Sequence, residues 1–80
     1  MPHVIVKMHL GRSEQQKVGL TVAIVKDVMR FTGVGDGAVS VSIEEIGPSD
    51  WTEKVYQPDI LNSPGKLYKK PDTIRSNSAG

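Results

Sequence analysis

A serine and a glutamine near one end of the chain limit what it can fold into. Ser13 followed by Gln16 makes a capping-box pair: the serine oxygen takes the amide hydrogen of the third helical residue while the glutamine reaches back to the cap. A helix begins there. Leu20, Ala23, Ile24, Val28 and Phe31 recur at helical spacing, with Val25 and Met29 beside them, as far as about Thr32. Gly33 supplies the stop. Ahead of this helix, His3 to Leu10 alternates as a strand, with Val4, Val6, Met8 and Leu10 on one face and His3, Ile5, Lys7 and His9 on the other. Behind it, Ala38 to Ile46 alternates Val39, Val41 and Ile43 against Ser40, Ser42 and Glu44. Strand, long crossover helix and strand in that order predict an α/β chain built on a right-handed β-α-β unit with parallel strands.

Two parallel strands leave bare sheet edges, and both faces of the first strand are partly apolar. A chain of 80 residues has little else to cover them with. Association with further copies of the same chain is therefore expected. The absence of cysteine excludes disulfides, thiolate chemistry and thiolate metal sites, and fits a reduced, cytoplasmic location. No basic segment leads into a long apolar run, and no stretch approaches the ~20 apolar residues of a membrane span, so the chain reads as soluble, with no membrane partner. A formal charge of +1 gives no general field for nucleic acid, although Lys66, Lys69, Lys70 and Arg75 make the last segment locally basic.

GVGDG at residues 33–37 has the look of a phosphate loop but lies between a helix and a strand, the reverse of the order such loops need; it reads as a turn. His3 and His9 are separated along one strand by roughly 20 Å and cannot share an ion. No serine has a histidine and a carboxylate at recognisable triad spacing. Three residues invite closer attention. Pro2 cannot donate to a sheet ladder, so it is either a tolerated strand starter or, once Met1 is removed, a free secondary amine. Arg12 stands just ahead of the helix cap, where a cation and the positive helix end together favour a carboxylate; a solvated loop arginine is the alternative. Trp51, after the turn GPSDW, is either part of a site or an anchor of the core or interface.

Beyond that turn, Asp50 with Glu53 is expected to cap a short helix holding Trp51, Val55 and Tyr56, interrupted at Pro58. A second short helix is expected around Leu67 and Tyr68, and from Ser76 the polar end reads as disordered.

PHVIVKMHLGRSEQQK, a helix, VSVSIEEI and then PSDW together resemble the 4-oxalocrotonate tautomerase family, from Pro2 to Trp51. The resemblance implies a β-α-β tautomerase fold with a short helical C-terminal extension; with the polar end over 76–80 read as disordered, one domain is expected over 1–75. It implies Pro2 as the acid-base catalyst, Arg12 as a substrate-binding arginine and Trp51 as an aromatic wall. The family's second arginine falls here on Ser40, so the extra cation that binds a dicarboxylate is missing, and Ser40 or Ser42 is left to offer a hydrogen bond. WTEKVYQPDI and LYKKPDTI resemble the longer bacterial members that form dimers, with hexamers the other state of the family.

An α-amine ordinarily titrates close to neutrality, and an apolar wall and a nearby cation both move it down, which suits a base that must become an acid. The implied activity is interconversion of keto and enol forms of 2-oxo or 2-hydroxydienoate acids, with no metal or organic cofactor. A dehalogenase or hydratase using the same proline, with Glu44, Glu45 or Glu53 activating water, is the alternative within the superfamily. A non-catalytic oligomeric binding module is the alternative outside it.

Overall fold

The computed structural model describes residues 1–72 and separates into two compact units, one over residues 1–45 and one from residue 46 onward. The first holds strand β1 (His3–His9), helix α1 (Glu14–Thr32), a 3-10 turn (Asp36–Ala38) and strand β2 (Ser40–Ile46), whose last residue begins the second unit. The two strands pair in parallel as a two-stranded sheet, so the β-α-β reading holds.

Helix α1 starts and stops as its sequence dictates. The Gln16 N–H donates to Ser13 Oγ at 3.0 Å and the Ser13 N–H donates to Gln16 Oε1 at 2.9 Å, closing the capping box. At the far end Gly33 adopts a left-handed φ of 81° that a residue with a Cβ avoids, and its N–H donates to the Met29 carbonyl at 2.9 Å.

The start of β2 and the inward face of α1 differ from the sequence reading. Strand β2 starts at Ser40 rather than Ala38, because the Ala38 and Val39 amides are committed to the carbonyls of Gly35 and Asp36 in the 3-10 turn. The inward stripe of α1 is also rotated: Lys17, Thr21, Ile24, Val25, Val28 and Met29 are half-buried, whereas Leu20, Ala23 and Phe31 face outward. Phe31 is 76% exposed, and the Arg30 guanidinium lies 4.7 Å from its ring centroid. The physical reason is width. From Leu20 and Phe31 on one flank to Val18 and Val22 on the other, the apolar arc of α1 spans about 200° at the helical repeat, more than two strands cover.

In the second unit, Pro48–Asp50 form a 3-10 turn and Thr52–Leu61 form a wide, π-type helix. Pro58 lies inside that helix instead of interrupting it. The wider coil relieves the clash between a proline ring and the preceding turn that would break an α-helix. Asp50 makes no capping bond; it pairs with Lys54 at 3.7 Å. The helix closes where the N–H and the Nδ2 of Asn62 both donate to the Gln57 carbonyl, each at 3.0 Å. Val55, on this helix, is 5% exposed and alone among the described residues is fully buried. Around Leu67 and Tyr68 there are bends rather than the expected helix, with Lys66 Nζ 4.9 Å from the Tyr68 ring centroid. Arg75 and the polar end from Ser76 lie outside the described residues.

Candidate active site

The start of β1 is fixed by one residue of β2. A proline cannot give a ladder bond, but its carbonyl can accept one, and the Ser40 N–H donates to the Pro2 carbonyl at 3.2 Å. In a parallel ladder that bond sets Ser40 beside the residue after Pro2. His3 Nδ1 and Ser40 Oγ accordingly lie 2.7 Å apart, a hydrogen bond between residues 37 positions apart in the chain. Pro2 is half-buried, while His3 and Ser40 are exposed. Met1 is 96% exposed, and neither of these bonds passes through it.

Carried along the strands, the same register separates two faces. Val4, Val6 and Met8 share one face with Val41, Ile43 and Glu45. The Lys17 ammonium of α1 reaches Glu45 on that face at 3.2 Å, so this is the face that meets the helix. His3, Ile5 and Lys7 share the opposite face with Ser40, Ser42 and Glu44. Ile5 is 52% exposed there, an apolar side chain in the middle of a strand with water over it.

Arg12 lies at the other end of β1. An open cleft of about 190 Å³ is lined by Met8, Arg12, Gln16, Lys17 and Leu20. Most of its polar groups are already engaged: Gln16 closes the capping box, and Lys17 pairs with Glu45 and, at 3.7 Å, with Glu14. Arg12 is exposed and has no partner among the described residues. Its guanidinium and the positive end of the 19-residue α1 helix act on the same cleft, the arrangement that favours a carboxylate.

The candidate residues are therefore only partly brought together. Pro2 and Ser40 are neighbours. Arg12 is separated from them by the length of β1, seven residues or about 20 Å, too far for one small acid to touch both. Trp51 is half-buried in the second unit at the head of the π-type helix. Of the carboxylates considered for activating water, Glu45 is engaged with Lys17. The register puts Glu44 beside Lys7, and Glu53 is exposed. Among the described residues no three His, Cys, Asp or Glu side chains are grouped so as to hold a metal ion, and no helix is long and apolar enough to cross a membrane. His3 is the residue that spacing alone missed as a companion of Ser40. The sequence carried no signal for it, because the pairing is set by the Ser40 N–H bond to the Pro2 carbonyl, a matter of strand register.

No protein-family model matches the chain. Individual proteins do. A protein of Xylella fastidiosa named "Probable tautomerase" is 39% identical over 71 residues, which is 89% of this chain and 87% of that one. A "Tautomerase PptA" of Pectobacterium carotovorum is 36% identical over 73 residues, covering 89% of this chain and 95% of that protein. The Escherichia coli protein of the same name is 31% identical over 72 residues with the same coverage. The β-α-β fold and these similarities define the class: the chain belongs to the tautomerase family. Its β1–α1–β2 frame is the fold that the class implies.

Proposed function

We propose that this tautomerase interconverts keto and enol forms of 2-oxo acids with the amine of Pro2 as its acid-base catalyst. The observation that carries the reading is the anchoring of Pro2 at the start of β1, through its carbonyl and not its nitrogen. Removal of the exposed Met1 leaves both strand-start bonds in place and converts the proline nitrogen from an amide into a basic secondary amine. That amine takes the proton of an enol hydroxyl, or of an α-carbon, and returns a proton to another carbon of the substrate. The mature protein accordingly begins at Pro2 and works without a metal or organic cofactor.

Arg12 binds the substrate carboxylate, and it does so from a second copy of the chain. If the free edge of β1 pairs antiparallel with its counterpart across a two-fold axis, Pro2 of one protomer meets the partner subunit's Arg12, closing the gap of about 20 Å that one chain leaves open. A homodimer suffices for this, and a hexamer built from such dimers contains the same site. Pairing also covers the bare edge of β1. Ser40 offers a hydroxyl where a dicarboxylate would need a cation, so enolic monoacids of the phenylpyruvate kind are preferred over 2-hydroxymuconate.

Intact mass and ultraviolet ketonisation kinetics test the proline. The active protein is expected to lack Met1, and Pro2→Ala is expected to lose roughly 10² to 10⁴ in kcat with a much smaller change in KM. Full activity in a protein whose mass retains Met1 would rule the amine out.

A further inference from the structure

Chain ends fray unless something ties them down, and an amine that must meet its substrate at one carbon cannot work from a frayed end. Two bonds converge on Ser40 from the first two residues after Met1. Its N–H holds the Pro2 carbonyl at 3.2 Å, and its Oγ lies 2.7 Å from His3 Nδ1. One residue of β2 thus grips consecutive residues of β1, once through the backbone and once through the side chain. The second bond survives a change of tautomer or protonation: Oγ–H donates to a bare Nδ1, and a protonated Nδ1 donates to Oγ. Both side chains are exposed, so neither is there to fill a core.

We propose that His3 is a positioning residue for the proline catalyst, its bond to Ser40 Oγ fixing the backbone that presents the Pro2 amine. The proposal rests on Pro2 being the base. It also gives Ser40 a role beyond the absence of a cation, since the same hydroxyl that leaves the pocket uncharged holds the strand start in register.

The experiment compares His3→Ala, Ser40→Ala, the double variant and His3→Asn in phenylpyruvate ketonisation, with hydrogen exchange of the Ser40 amide followed by NMR. Each alanine variant is expected to lower kcat roughly three- to tenfold, the range one neutral hydrogen bond supports, with KM within about twofold. The double variant is expected to be no slower than the slower single one, because both remove the same bond. The Ser40 amide, donor to Pro2, exchanges faster in His3→Ala. His3→Asn, whose amide group comes close to the position of Nδ1, restores most of kcat and the slow exchange. Losses that multiply in the double variant, or an unchanged Ser40 amide in His3→Ala, would overturn the proposal. Full activity in Pro2→Ala would remove the proline reading while leaving the exchange result to judge the clamp. An inactive Pro2→Ala beside a fully active His3→Ala would remove the clamp alone.

Discussion

The two ends of β1 are built from opposite materials. At its start, Pro2, His3 and Ser40 are held by hydrogen bonds of 3.2 and 2.7 Å, and none of the three brings a carboxylate or a fixed positive charge. At its finish, Arg12 stands beside a helix terminus whose capping box is closed and whose nearby lysine is engaged by two glutamates. On the proposed reading, one end handles the proton and the other holds the carboxylate. The lesson is one of distance: the strand between Pro2 and Arg12 keeps them about 20 Å apart within one chain, so a site that uses both needs a second copy.

Changing one end at a time sharpens that contrast; after the loss already expected of Pro2→Ala, the next largest effect is expected at the charged end. On the proposed reading, Arg12→Ala removes a charge-assisted contact to the substrate carboxylate. It should lower kcat/KM roughly ten- to two-hundredfold, mostly through KM, with Arg12→Lys recovering part of the loss. Steady-state kinetics on a monoacid enol decide this; a loss confined to kcat would mean that Arg12 does not bind the ground-state acid.

Moving a cation to the neutral end comes next. Ser40→Arg is expected to improve processing of 2-hydroxymuconate by roughly ten- to a hundredfold if the guanidinium reaches the pocket, with little gain for the monoacid. The same change deletes the hydroxyl that His3 holds, so the monoacid kcat should fall by about the three- to tenfold expected of Ser40→Ala. Strong preference of the unmodified protein for the diacid would mean that another cation, such as Lys7 or one from the basic C-terminal segment, takes the place Ser40 leaves.

How far the sequence was legible follows from how local each decision is. Ser13, Gln16 and Gly33 announce α1 because their bonds are made within four residues of themselves. Pro58 misled because a proline ends an α-helix, and the wider coil that admits it leaves no mark in the sequence. Phe31 and Leu20 were assigned to the interior because periodicity reports an apolar arc without saying how much of it a two-stranded sheet can cover. Pro2 and Arg12 drew notice by their chemistry, which left both open, and it was the resemblance that gave them site roles. The bond between His3 and Ser40 drew none, because it depends on strand register, which becomes visible only when the two strands are laid side by side.

The smallest expected effect is on stability rather than turnover. Ser13→Ala opens the capping box and should cost about 1 kcal/mol, read as a lower denaturant midpoint with an unchanged slope. Since the same cap sets the entry of α1 into the Arg12 cleft, KM should rise modestly while kcat holds.

The central claim, that the proton site and the carboxylate site of one catalytic unit come from different copies of the chain, is tested most directly by mixing two damaged proteins. Pro2→Ala and Arg12→Ala chains are unfolded together in equal amounts, refolded, and assayed against each protein refolded alone. If sites are shared across a two-fold axis, half of the dimers are mixed. Each mixed dimer then has one intact site and one doubly damaged one, so about a quarter of the unmodified activity should return. If each chain completes its own site, the mixture should never exceed the average of the two damaged proteins, and that result would contradict the shared site.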